Sequence, residues 1–182
     1  MANLKKILIV IGTRPEAIKL APVITKLQFD QRLIIDVCLT GQHKELASDA
    51  LALFGISENF NLELMDQISS LHHFLSEAIM GLLAVQKKVE PDLIICHGDT
   101  ASTLAAALSG YYSKIPVAHI EAGLRTSDIY SPWPEEGNRK LVSAIASLNF
   151  APTFKSQQNL LDEGVNKSSI HVTGNTVIDA VR

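Results

Sequence analysis

Hydrophobic residues along this chain fall into short unbroken runs separated by longer stretches of helical period. The run at 6–11 shows no polar alternation, the pattern of a strand covered by helices on both faces. Similar runs predict strands at 33–39, 93–96, 117–120, 148–151 and 171–172, with a further candidate at 61–64. Between them the spacing predicts helices at 16–29, 44–54, 71–89, 100–113, 135–146 and 154–163. Pro91 and Pro116 punctuate the approaches to the fourth and fifth strands, and Gly164 is placed as a helix C-cap. Strands alternating with helices mean βαβ units. The expected fold class is therefore α/β, a doubly wound, mainly parallel Rossmann-like sheet forming one domain over 1–175. After a turn at 173–176 a helix starts and stops within little more than a turn. A helix that short needs something to pack on, so at 176–182 either the chain was cut or its partner lies elsewhere.

Composition narrows the function without naming it. The chain has 182 residues, 47% hydrophobic and 19% charged, which are globular values. A net charge of −3 gives no footprint for nucleic acid, and no charge run suggests a membrane surface. Cys38 and Cys96 both lie in predicted buried strands and read as reduced core thiols of a cytoplasmic protein. No spacing of Cys and His suits a metal. Lys5-Lys6 and the following apolar run resemble the start of a signal peptide. That run is too short, however, and Gly12-Thr13-Arg14-Pro15 closes it without a small-residue cleavage site.

Candidate chemistry gathers after the strands. The segment from His97 to Lys140 reads HGDTASTLAAALSGYYSKIPVAHIEAGLRTSDIYSPWPEEGNRK. Two strand-like runs end in His-x-acid triplets, His97-Gly98-Asp99 and His119-Ile120-Glu121, and a third acidic group, Glu135-Glu136, falls where a helix begins. Carboxylates at the carboxyl ends of strands lie where open α/β sheets bind ligands. With Arg125 and Arg139 nearby, they suggest proton handling on an anionic substrate. Each also has a structural alternative: Asp99 as a helix cap, Glu121 as a loop acid paired with Arg125, Glu135 and Glu136 as complements of a helix dipole. His97 and His119 read first as scaffold hydrogen-bonding residues. Earlier in the chain, Gly12 permits a tight turn and Pro15 suits the first helical position, so amides at that helix start would face the crevice and favour a phosphate. Arg14 and Lys19 would add positive charge. The glycine pattern is not a dinucleotide fingerprint. Thr40-Gly41-Gln42-His43 is either a plain glycine turn or a loop presenting Gln42 and His43 to a sugar or nucleotide.

The segments GTRPEAIKLAP, TGQH, HGDT, HIEAGLRT and SPWPEEGNRK, in this order and spacing, resemble the non-hydrolysing UDP-N-acetylglucosamine 2-epimerases over 6–181. The resemblance implies the N-terminal half of a GT-B architecture, two Rossmann-like domains facing each other across a cleft. It further implies ligands UDP-N-acetylglucosamine and UDP, no metal or redox cofactor, and a homodimer in the full-length form. By position, Arg14 and Lys19 match residues associated with the phosphates, and Gly12 and Arg125 join them as substrate-binding candidates. Asp99, Glu121 and Glu135 match catalytic acids. Gln42, His43 and Glu136 match positions that in some members hold a second, activating UDP-sugar. Where those members carry Arg-Gln, this chain has Ile68-Ser69, which speaks against such activation. Hydrolysing relatives tend to have a Gly-Gly-Glu loop in place of Glu121-Ala122-Gly123-Leu124-Arg125-Thr126, and a related GT-B glycosyltransferase would not need three acids. The resemblance also implies that 176–182 starts the connection to an absent C-terminal domain. The opposite half of the site would belong to that second domain, so this polypeptide is expected to fold with little or no activity alone.

Overall fold

A computed structural model describes residues 4–41, 46–64 and 69–181. In chain order the strands are β1 Lys5–Ile11, β2 Leu33–Leu39, β3 Phe60–Asn61, β4 Leu93–His97, β5 Val117–Ile120, β6 Leu148–Ala151 and β7 Ile170–Val172. The helices are α1 Arg14–Gln28, α2 Leu46–Ala52, α3 Leu71–Val89, α4 Ala101–Tyr112, α5 Glu135–Ile145, α6 Phe154–Asp162 and α7 Val177–Ala180. All seven strands are parallel, in the order β3-β2-β1-β4-β5-β6-β7. The chain builds outward from β1 to β3, then returns to the other side of β1 with β4. That reversal opens a crevice beyond the carboxyl ends of β1 and β4, the place where such sheets bind ligands.

Strand residues alternate between two cores. Leu8 and Val10 of β1 join Phe74 and Leu82 of α3 and Leu104 of α4. Ile7, Ile9 and Ile11 face the other way, against Leu20 and Ile24 of α1 and Leu51 of α2. Both faces of β1 are covered, which is why its sequence shows no polar alternation. Helix α4 consists largely of small residues because it lies tight on the sheet. A β-carbon on Gly110 would come within 2.6 Å of Val117 Cγ2 in β5.

Some ends differ from expectation. Helix α1 begins at Arg14 rather than 16, because Thr13 takes the extended N-cap conformation and Pro15 sits in the first turn. The third strand is Phe60–Asn61, paired with the end of β2, in place of 61–64. Helix α7 has four residues and rests against α1. Among the described residues no helix is long and apolar enough to cross a membrane.

Candidate active site

The first wall of the crevice is the β1–α1 turn. Glu16, at the third position of α1, is 5% exposed and reaches back over the helix start. Its Oε2 accepts from the amides of Gly12 at 2.6 Å and Thr13 at 3.0 Å. Its Oε1 accepts from the hydroxyls of Thr100 at 2.6 Å and Thr103 at 3.3 Å, and Thr103 also donates to the His97 carbonyl at 2.6 Å. One carboxylate thus ties the turn after β1 to the turn after β4. This corrects the expectation of free amides waiting for a phosphate, because those of Gly12 and Thr13 already serve Glu16. The Thr-x-x-Glu spacing of a capping box, legible in Thr13-Arg14-Pro15-Glu16, was the signal for it. Burial raises the Glu16 pKa, while the four donors oppose that rise. Arg14 stands exposed on the rim.

Glu121 ends β5 in the left-handed conformation, with φ 65°. Lys19 Nζ lies 2.9 Å from its Oε1 and 2.7 Å from its Oε2, and Asn175 Nδ2 donates to Oε2 at 2.9 Å. His97 Nε2 stands 3.7 Å from the same oxygen. Burial pulls the carboxyl upward, but Lys19, His97 and Asn175 together bring it below its ordinary value, so Glu121 is a carboxylate at neutral pH. Lys19 is therefore the cation of Glu121. Arg125, the partner suggested by sequence proximity, is not. Two residues after Glu121, Gly123 turns the chain with φ 86°, where a β-carbon would collide with the Ser156 carbonyl. The chain then leads Arg125 to α6, where it pairs with Glu163 at 2.5 and 2.9 Å and donates to Ser143 Oγ at 3.1 Å. Its guanidinium holds α6 and α5 to this loop, at the edge of a hollow of about 240 Å³ that it lines with Glu136, Lys140 and Asn159.

Asp99 follows β4 and faces Arg139, with Nη2 at 2.7 Å and Nε at 2.9 Å from Oδ2. Asn138 Nδ2 donates to the Asp99 carbonyl at 2.8 Å, so α5 grips the loop through neighbouring side chains. Arg139 Nη1 also meets Glu136 Oε2 at 2.9 Å. Glu136 is buried beneath Arg139, with its Oε1 lacking a hydrogen-bond partner, and it lines the same hollow of about 240 Å³ together with Arg125 and Lys140. Gln42 and His43 lie outside the described residues, as does Ile68. Glu135 opens α5, one of its carboxylate oxygens buried without a hydrogen-bond partner.

The two histidines part company. His119 Nε2 lies 2.6 Å from the Gly98 carbonyl, a scaffold bond. Burial lowers its pKa to about 4, so the ring is neutral and Nε2 carries the donating proton. His97, also lowered to about 4 by burial, has no hydrogen bond on either ring nitrogen and faces Glu121. Sequence reasoning missed Asn175 altogether, since nothing local marks a residue 54 positions from its partner. Among the described residues no group of His, Cys, Asp and Glu could hold a metal ion.

Fold and site together define a Rossmann-like α/β domain with two carboxylate–cation pairs, Glu121–Lys19 and Asp99–Arg139, beside its switch point. The family described as UDP-N-acetylglucosamine 2-epimerase matches residues 25–182. The chain belongs to that family. It is 51% identical, over 98% of its length, to a Ralstonia solanacearum protein named Probable UDP-N-acetylglucosamine 2-epimerase, and covers 48% of that relative. The crystal structure of UDP-GlcNAc 2-epimerase from Neisseria meningitidis bound to UDP-GlcNAc superposes with a TM-score of 0.95 at 49% identity, over 97% of this chain and 47% of that one. The Methanocaldococcus jannaschii enzyme in complex with UDP-GlcNAc and UDP gives 0.87 at 36% identity, over 96% and 48%. The chain thus spans about half the length of the relatives it matches. These neighbours agree with the expected N-terminal half of a GT-B architecture.

Proposed function

We propose that this chain supplies one wall of a non-hydrolysing UDP-N-acetylglucosamine 2-epimerase, interconverting UDP-N-acetylglucosamine and UDP-N-acetylmannosamine together with a second domain. The observation that carries the reading is the pair of carboxylates, Glu121 held by Lys19 and Asp99 held by Arg139, beside the β1/β4 crevice. The C2 proton of the sugar has no adjacent carbonyl to acidify it. Elimination avoids the difficulty: the C2–H and C1–O bonds break, UDP leaves, and 2-acetamidoglucal remains. UDP then re-forms the C1–O bond while a proton reaches C2 from the opposite face. That sequence needs a proton acceptor and a donor on two faces of the sugar. Asp99, Glu121 and Glu135 fill these roles. Asp99 and Glu121 each face a cation, and Glu135 has no ion pair among the described residues. Departure of the diphosphate needs positive charge, which Arg14 on the rim and Lys19 provide. The reading needs no metal or redox cofactor, and places the protein in the cytoplasm, as a homodimer in its full-length form.

The test joins this chain to the second half of the Neisseria meningitidis relative and supplies UDP-N-acetylglucosamine in deuterated water. Deuterium at C2 with a persistent UDP-N-acetylmannosamine signal is expected from the chimera and not from the 182-residue chain alone. Asp99→Asn, Glu121→Gln and Glu135→Gln should each slow exchange by about 100-fold or more, the usual scale for a positioned acid or base. Stoichiometric free UDP would instead indicate the hydrolysing reaction, and exchange by the isolated chain would overturn its expected inactivity.

A further inference from the structure

His97 closes β4 with a ring only 3% exposed and neither nitrogen hydrogen-bonded. Its Nε2 lies 3.7 Å from Glu121 Oε2, too far for a hydrogen bond and too close to admit a bridging water. A buried polar nitrogen left unpaired is costly, and here it is aimed at a carboxylate in the candidate site. Site hydrogen bonds are often long without ligand and tighten when it binds.

The other partners of Glu121 indicate what could tighten this one. Lys19 Nζ holds both carboxylate oxygens, and its side chain is 25% exposed, little more than a turn along α1 from Arg14 on the rim. An anion entering there competes with Glu121 for the same ammonium. Once Lys19 turns away, Oε2 keeps Asn175 and gains room for one more donor. The groups facing His97 are Glu121 from the end of β5, Lys19 from α1 and His119 within β5. Of these, Glu121 is the one whose acceptor atom stands 3.7 Å from Nε2.

We propose that His97 is the positioning residue for Glu121, its Nε2–H closing on Oε2 as Lys19 turns from the carboxylate to an anionic diphosphate. The identity of that diphosphate rests on the epimerase reading; the His97–Glu121 contact does not. A carboxylate held by a neutral imidazole binds a proton more readily than one held by an ammonium. The exchange would therefore turn a stable ion pair into a base at the moment substrate arrives, while the carboxylate keeps its orientation. Burial keeps His97 neutral, as this requires.

Nitrogen-15 NMR of the imidazole rings of this 182-residue chain at pH 7 tests the contact without substrate. Wild-type His97 is expected as the Nε2–H tautomer. Lys19→Met, which imitates departure of the ammonium, should move that proton downfield as the bond shortens, and Glu121→Leu should move it back. A His97 in the Nδ1–H form, or nitrogen shifts indifferent to both substitutions, overturns the proposal. A purely structural histidine would give that second result. If a variant fails to fold, the wild-type tautomer still decides. Failure of the chimera to exchange C2 would leave these spectra unchanged, so the two readings fail separately.

Discussion

At His97 and His119 the domain buries two imidazoles, and desolvation lowers both pKa values to about 4, against 6.5 when free. The consequence for stability follows from which state takes up protons. Between pH 6.5 and 4 the unfolded chain protonates these rings and the folded chain does not, so stability falls as pH falls. Each ring can withdraw on the order of 3 kcal/mol across that window, a large share of a domain's stability. Glu121 adds to the same trend at the acid end. Its lowered pKa contributes stability that is present above the free carboxyl value and lost as pH drops through the folded one. Urea midpoints should therefore decline steeply from pH 7 to 4.5. His119→Gln, whose amide can still donate to the Gly98 carbonyl, should flatten the decline by about half. A wild-type midpoint constant from pH 7 to 5 would contradict the account.

Among the elements, the β1–α1 turn and the β4–α4 turn act as one piece because Glu16 bonds to both. Glu16→Ala leaves two buried amides without an acceptor and is expected to cost about 3 kcal/mol in urea unfolding. Glu16→Gln should cost clearly less. Its oxygen can serve the amides, while threonine hydroxyls can reverse and accept from its NH2 group. Equal losses for the two variants would mean that the carboxylate's charge, not its acceptor geometry, holds the turns together. Strand and helix positions were readable because both-faced burial leaves unbroken apolar runs, as at 33–39 and 117–120, which became β2 and β5 with the same ends. The capping spacing from Thr13 to Glu16 carried the signal for Glu16 as well, although the amides it occupies were expected to stand free. The partners of Glu121 were not. Lys19 lies 102 positions away and Asn175 54, and only the folded sheet brings α1 and the last turn to β5. Proximity in sequence misled for Arg125, because one obligatory glycine turn sends it to the other side of its loop.

For the molecule as a whole, the two sheet faces are not covered alike. One core is closed by α3, α4 and α5, whereas on the other face α1 and the short α7 leave a hollow of about 310 Å³. Ile7, Leu93, Ile95, Ala118, Ile120 and Phe150 form its floor, which is almost wholly apolar. Such a surface on a folded domain should bind an apolar dye without any unfolding. The native chain is accordingly expected to enhance the fluorescence of anilinonaphthalene sulfonate at pH 7, with near-ultraviolet circular dichroism intact, which separates this binding from that of a loosened core. Ala118→Leu places a branched side chain into the hollow from its floor, where there is space to receive it. That variant should reduce dye binding and leave the urea midpoint unchanged or raised, since it fills space rather than displacing neighbours. Undiminished fluorescence in Ala118→Leu would place the dye elsewhere. A lowered midpoint would mean that α1 and α7 already close over this face in solution, leaving the added carbons no room.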